Sequence, residues 1–349
     1  MSPIHLELED RPQVVDIRRS ESNLDLVKEV TSGLRSQPLE IPSILLWTDR
    51  GLKLFDRYVQ IPSYYPFHSE MEVLRVHGSS IVASMPADGV LLELGCGAIH
   101  KTKLILAALC KRQKPVHYFA LDLSRESLVA SLHELRSSFR DSSFITITGL
   151  LGTYDDCIAW LGGANSLSQY QPITILWLGN SIANMDHPEE AGAFLERFGT
   201  ACKRAQLTCR FLVSIDICQK ESKIKDAYSG PEFRDWLLSS LEIASLAVGY
   251  DAFSSADWGD SIWMDSYTCT LHACLAARRD MLIPLTSPIH GSQTVAIHKG
   301  DRITMIRSGK WKEDTIGEIC AQAGFQIQQR WKDDDGDYGV FLLGQEARL

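Results

Sequence analysis

The chain has 349 residues, 45% of them hydrophobic and 23% charged, a composition ordinary for a soluble globular enzyme and long enough for two domains. Its 35 Lys and Arg against 44 Asp and Glu give a formal charge of −9, so a nucleic-acid role has no electrostatic support. No apolar run is long enough to span a membrane, and Met1-Ser2-Pro3-Ile4-His5-Leu6-Glu7 lacks the pattern of a signal peptide. The nine cysteines form no CxxC pair, which fits reduced thiols in a cytoplasmic protein and argues against structural zinc.

Residues before Pro12 read as a loose tail. Ser22 to Leu34 has Leu24, Val27, Val30 and Leu34 on one helical face, and Thr48 to Tyr58 is a second helix with Thr48 as N-cap. From about Met71 the pattern alternates. Gly89 to Leu94 is a buried strand, Thr102 to Lys111 a helix and His117 to Leu123 a strand. Ser124 to Phe139 is an amphipathic helix, followed by strands over Phe144 to Thr148 and Ile173 to Leu178. Asp186 reads as the N-cap of the next helix, with Glu189 completing a capping box, and Phe211 to Ile217 is a further strand. This order implies a parallel, doubly wound α/β sheet. Lys220 to about His298 breaks the rhythm, with a helix over Pro231 to Leu246 and a β-prone stretch, Ser266 to Leu271. Trp311 to Gly324 is helical. Phe325 to Trp331 and Tyr338 to Leu343 then form a hairpin around Asp333-Asp334-Asp335-Gly336-Asp337. A closing antiparallel hairpin is what S-adenosylmethionine (SAM) methyltransferases add to such a sheet, a fold-level analogy.

The strongest motif is strand, Gly95-Cys96-Gly97, helix. Glycines at the end of such a strand let the backbone approach a ligand. Asp122, 27 positions after Gly95 and at the end of the next strand, can accept both ribose hydroxyls of an adenosine. NAD and SAM satisfy both signals. The dinucleotide fingerprint wants a third glycine where His100 stands, so SAM, which has no phosphate, is preferred. Lys101 is placed to meet the carboxylate of SAM. The plain alternative is a tight turn at Gly95 and Gly97, with Asp122 capping the following helix.

Several segments resemble one family. Ile61-Pro62-Ser63-Tyr64-Tyr65-Pro66-Phe67-His68-Ser69-Glu70 resembles the "YYP…E" segment of the ergothioneine-pathway histidine Nα-methyltransferases. Glu93-Leu94-Gly95-Cys96-Gly97 with Lys101-Thr102 resembles their "ELGSG…KT" loop, and Leu178-Gly179-Asn180-Ser181-Ile182-Ala183-Asn184 their "LGSSIGN" strand end. Leu150-Leu151-Gly152-Thr153-Tyr154-Asp155-Asp156 is similar to the fungal members. The same family includes ergot-alkaloid enzymes that methylate the α-amine of dimethylallyltryptophan, and the chain is closest in character to these.

The resemblance implies a Rossmann-like SAM-dependent methyltransferase fold with a discontinuous α+β substrate-binding domain. The implied boundaries are 1–68 and 220–308 for the substrate domain, and 69–219 and 309–349 for the methyltransferase core. It implies that Gly95, Gly97, Lys101 and Asp122 hold SAM, with Gly152 and Thr153 near the adenine. Tyr64 and Asn184 would lie near the substrate amine and Tyr228 would bind its carboxylate. Trp47 and Phe55 fall at aromatic pocket positions. One departure matters. Histidine-specific members carry "E-x-S-x-K-[YF]", whose acid binds the imidazole. The stretch here is Ile306-Arg307-Ser308-Gly309-Lys310-Trp311, with Ile306 in place of the acid. An imidazole left unpaired there would cost about 1–3 kcal/mol, so a tryptophan-derived or other apolar amino acid is expected over histidine.

Methyl transfer then needs a neutral amine aimed at the sulfonium methyl, oriented by Tyr64 and Asn184, with no metal. The Asp333–Asp337 acids resemble a calcium loop, but Trp331 stands where its first acid should be, so a solvated turn is expected. Asp155-Asp156 is expected to cap a helix running through Trp160. His68, beside the substrate motif, is the histidine of most interest. The alternatives are a histidine or other betaine-forming methyltransferase, a NAD-linked oxidoreductase, and a non-catalytic methyltransferase-like protein. The implied partner is a small amino-acid substrate, with neither nucleic acid nor membrane. A homodimer stays open.

Overall fold

The apolar runs become strands and the amphipathic segments between them become helices. The computed structural model describes residues 12–19, 26–87, 89–163, 167, 172–185, 187–287 and 291–345. In chain order, β1 (Val14–Asp16) leads to α1 (Leu26–Gly33), β2 (Leu39–Glu40), α2 (Asp49–Val59) and α3 (Tyr65–Ala83). Then follow β3 (Gly89–Leu94), α4 (His100–Lys111), β4 (Val116–Asp122), α5 (Arg125–Ser138), β5 (Ile145–Leu151), α6 (Tyr154–Gly163), β6 (Ile173–Trp177), α7 (Pro188–Arg204) and β7 (Cys209–Asp216). After α8 (Glu221–Ala227) and α9 (Pro231–Val248) come β8 (Trp258–Asp265), β9 (Thr270–Ala277), β10 (Met281–Ser287), β11 (Gly291–Ile297) and β12 (Arg302–Gly309). The chain ends with α10 (Glu313–Gln322), β13 (Phe325–Lys332) and β14 (Tyr338–Gln345).

The chain forms two units. The first comprises residues 1–20, 69–217 and 312–349, the second residues 21–68 and 218–311. In the first, an eight-stranded sheet among the described residues runs β1-β5-β4-β3-β6-β7-β14-β13. It is parallel except where β14 joins β7 and β13 joins β14. The strand order reverses between β3 and β6, which makes the carboxyl end of β3 a topological switch point, where such sheets bind ligands. The β3 side chains are buried throughout. Ser124 caps α5 through the Ser127 N–H at 3.1 Å. The Leu128, Leu132 and Leu135 stripe of α5 is fully buried, worth about 1.5–3 kcal/mol per side chain.

The second unit joins α1, α2 and α9 to a four-stranded sheet, β2-β12-β9-β8, and to a β10-β11 hairpin. Thr48 caps α2, accepting from the Gly51 N–H at 3.2 Å. The register of β12 against β9 shifts between Thr304 and Ile306. The extra residue at this bulge re-phases the strand, and beyond it Ile306 and Ser308, two residues apart, share one face.

Three sequence expectations are corrected, and one helix is added. Residues 12–19 belong with the first unit rather than the substrate domain, because β1 pairs in parallel with β5 and Gln13 O accepts from Gly149 N at 2.8 Å. Ser266 to Cys269 is the turn between β8 and β9: Asp265 Oδ1 accepts from the Tyr267 N–H at 2.8 Å, and Cys269 takes φ +51°. Helix α3 was not foreseen. The helix after β6 begins at Pro188 with His187 at its N-cap and no side-chain cap bond, while Asp186 and the tail before Pro12 lie outside the described residues. Among the described residues no helix is long and apolar enough to cross a membrane.

Candidate functional site

Gly95 and Gly97 sit at the carboxyl end of β3 with φ +69° and +41°, a region that favours glycine. The loop is held from several sides. Cys96 N donates to Leu121 O at 3.0 Å, and Ser131 Oγ donates to Gly97 O at 3.0 Å. Asp122 Oδ2 accepts from the Gly97 N–H at 3.3 Å and from the Cys96 thiol at 3.7 Å, and its Oδ1 accepts from the Ser124 N–H at 3.0 Å. Asp122 thus braces the chain before α5, whose N-cap is Ser124, and lies against the glycine loop. A carboxylate has about four lone-pair sites, so these bonds leave it capacity for a ribose hydroxyl. A side chain added at Gly97 would meet nothing nearer than Gly95 O at 4.0 Å, so the backbone there is open to a ligand. This acceptor, the open glycine backbone and the switch point fit SAM.

Lys101 enters from the first turn of α4. Its ammonium lies 2.7 Å from Glu70 Oε2, and Glu70 is almost completely buried. Glu70 also accepts from the Gly179 N–H at 2.9 Å, Ser214 Oγ at 2.5 Å and Tyr338 Oη at 3.2 Å. An ammonium has three donors, so Lys101 can still meet a carboxylate while Glu70 fixes its place. Glu70 was quoted in the "YYP…E" motif, and only the fold reveals it as the anchor of Lys101 and of the turn after β6.

Gly152 follows β5, and its N–H donates to Asp122 O at 3.1 Å, which brings it beside the glycine loop. A side chain at Gly152 would come within 2.8 Å of Ile17, so close packing already requires glycine there. Thr153 and Asp156 form a reciprocal capping box on α6. Thr153 N donates to Asp156 Oδ2 at 3.0 Å and Asp156 N donates to Thr153 Oγ1 at 3.0 Å. Asp156 thus caps the helix as expected. Asn184 ends a short 3₁₀ turn after β6 and is exposed.

A second buried acid lies behind the loop. Glu93, on β3, accepts from Thr102 Oγ1 at 2.7 Å and from Tyr118 Oη. Burial pushes its carboxyl up to about 7, against the pull of these two donors and of Lys101.

In the second unit the expected aromatic residues come together through two that were not foreseen. Trp47 and Phe55 lie 5.1 Å apart, and Trp236 packs on both, at 5.5 and 4.6 Å. Tyr58 continues from Trp236 to Tyr64 at 4.6 Å, and Tyr64 meets the edge of Tyr228 at 5.6 Å. The Tyr228 hydroxyl is 3.2 Å from Ser308 Oγ. Lys310, fully buried, donates to Tyr228 Oη at 2.9 Å and to Ser308 Oγ at 3.1 Å. Ile306 stands in an apolar row, paired with Ala273 on β9 and through it with Ile262 on β8. His68 Nε2, in the first turn of α3, lies 2.9 Å from Ile61 O in the chain just before that helix, a local contact. Among the described residues no group of His, Cys, Asp or Glu side chains is placed to hold a metal.

Over residues 26–345 the sequence matches the family described as histidine-specific methyltransferase, SAM-dependent. It is 36% identical to N-methyltransferase benX of Aspergillus terreus, over 98% of this chain and 95% of that one. It is 33% identical to N-methyltransferase imqF of Aspergillus flavus, over 97% and 90%. The 4-dimethylallyltryptophan N-methyltransferase easF of Epichloe festucae var. lolii is 28% identical, over 95% and 98%. These relationships resolve the choice between NAD and SAM that the glycine pair left open. The chain belongs to the SAM-dependent, histidine-specific methyltransferase family and is a SAM-dependent N-methyltransferase.

Proposed function

We propose that the enzyme methylates the α-amine of a free amino acid with an indole side chain, a tryptophan derivative such as 4-dimethylallyltryptophan. The observation that carries this reading is Ile306. It stands in the row Ile306, Ala273, Ile262, which offers an imidazole no hydrogen bond. An apolar ring suits that row. The aromatic chain from Trp47 to Tyr228 supports the same choice, and the name of the easF relative is in keeping with it.

SAM, when bound, supplies an electrophilic methyl group on a sulfonium. Gly95 and Gly97 would bring the backbone to it, Asp122 would accept a ribose hydroxyl, and Lys101 would meet its carboxylate. Gly152 and Thr153 border the adenine, Thr153 through its backbone because its hydroxyl serves the α6 cap. Tyr228 and Ser308 are assigned to the carboxylate of the amino acid. Trp47 and Phe55 are assigned to its side chain. Tyr64 and Asn184 are assigned to the amine, each accepting an N–H bond so that the lone pair is left for the methyl. Burial favours the neutral amine that reacts. A cytoplasmic setting is in keeping with the nine free cysteines.

The test is transfer of radiolabelled methyl from SAM to tryptophan, 4-dimethylallyltryptophan and histidine in parallel. The indole substrates are expected to be favoured. A preference for histidine would overturn the substrate assignment and leave the N-methyltransferase chemistry standing.

A further inference from the structure

Asp122 has too few acceptor sites to hold a ribose alone. A carboxylate has about four lone-pair sites. Among the described residues three donors already use them: the Gly97 N–H and the Cys96 thiol on Oδ2, and the Ser124 N–H on Oδ1. One site is left, on Oδ1, and the ribose of SAM carries two hydroxyls. A polar group buried without a partner is costly, so the second hydroxyl needs a group of its own. The sequence expectation that Asp122 accepts both hydroxyls is thereby reduced to one.

Tyr154 is placed to be that group. It is the first residue of α6, where the Thr153–Asp156 capping box fixes the start of the helix. Phe194 packs on its ring at 5.5 Å, and Trp177, the last residue of β6, meets it edge-on at 5.9 Å. Phe194 and Trp177 are themselves 5.2 Å apart, so the ring is held by two neighbours that also touch each other. The hydroxyl ends at the glycine loop: a Cβ built on Gly95 would lie 3.3 Å from Tyr154 Oη. It therefore sits at the switch point, where β3 and β6 end.

Its chemistry is also fixed. Burial pushes the Tyr154 hydroxyl up to about 12, the Trp177 N–H pulls against this, and the Asp122 charge adds to it. The proton is therefore present at neutral pH. Trp177 is fully buried, and its indole N–H makes no aligned hydrogen bond to a described residue. An indole N–H can only donate, and the Tyr154 oxygen is the acceptor it bears on. That oxygen can accept from Trp177 and still donate its own proton.

We propose that Tyr154 is a cofactor-binding residue whose hydroxyl donates to the second ribose hydroxyl of SAM, the one for which Asp122 has no acceptor site left. The diol is then held in both directions: one hydroxyl donates to Asp122 and the other accepts from Tyr154. The proposal rests on SAM lying at the glycine loop with its ribose at Asp122.

The experiment is calorimetry of the full-length enzyme with S-adenosylhomocysteine and its 2′-deoxy and 3′-deoxy analogues, on wild type, Tyr154→Phe and Asp122→Asn. S-adenosylhomocysteine has the ribose of SAM and no methyl to transfer, so binding is read without turnover. Tyr154→Phe removes one oxygen and keeps the ring against Trp177 and Phe194. The wild type should bind each analogue about 3- to 10-fold more weakly than S-adenosylhomocysteine, the worth of one neutral hydrogen bond. Tyr154→Phe should weaken S-adenosylhomocysteine by a similar factor and bind one of the two analogues as the wild type does. An equal loss on all three ligands would mean packing alone and would overturn the proposal. Unchanged affinity in Tyr154→Phe, with a loss in Asp122→Asn, overturns it and leaves the SAM site standing. Unchanged affinity in both variants overturns the placement of SAM as well. If Tyr154→Phe fails to fold, the wild type decides: losses on both analogues sustain the proposal, and an analogue that binds as tightly as S-adenosylhomocysteine shows a hydroxyl without a partner and overturns it.

Discussion

Replacing Glu93 by Gln should change how stability depends on pH, in a direction set by burial. The Glu93 carboxyl titrates near pH 7 in the folded chain, against an ordinary value of 4.5. Below pH 4.5 both folded and unfolded states hold the proton, and the group contributes nothing. Between pH 4.5 and 7 the unfolded chain releases its proton and the folded chain keeps it. Stability therefore falls as pH rises through this window and is level above it. The gap is about 2.5 pH units, or roughly 3 kcal/mol. For a unit of about two hundred residues that is roughly 6–12 °C in melting temperature. Glutamine removes the titration and keeps an oxygen that can accept from Thr102 and Tyr118. Its amide N–H groups are buried in exchange, a cost of about 1–3 kcal/mol that does not vary with pH. The assay is thermal unfolding of wild type and Glu93→Gln from pH 4.5 to 8. The melting temperature of the variant should gain on the wild type across the window, whatever the offset at acid pH. Parallel curves would refute the reasoning and show Glu93 ionised in the folded chain at neutral pH.

The site assignments make further predictions. A methyl at Gly179 would lie 2.8 Å from Lys101 Nζ, on a backbone with φ +76°, so Gly179→Ala should push the ammonium from its place beside Glu70. SAM affinity should then fall about tenfold, read by calorimetry. Ile306→Glu should lower kcat/KM on the indole substrate by at least ~10-fold and raise it on histidine, because an acid then answers the imidazole. Asn184→Ala and Tyr64→Phe should each lower methyl transfer by at least ~10-fold with SAM binding intact; unchanged rates in both would remove these residues from the site.

The methyltransferase unit was largely legible because its strands are apolar runs ended by glycine or an acid. Gly89–Leu94 was read to the residue, and Asp122 was placed at the end of its strand. Helix α3 was not legible. Its buried stripe includes Glu70, Val73, Leu74, Ile81 and Val82, and a buried acid at its start hides the apolar period. Strand β1 is only three residues long and exists through pairing with β5, which no local pattern encodes. The aromatic set was read from the motifs as Trp47, Phe55, Tyr64 and Tyr228. Trp236 and Tyr58, which join them, carry no signal beyond their residue type. Lys310 was the hardest to see. A lysine in a sequence is a surface residue by default, and Tyr228, its partner here, lies 82 positions away.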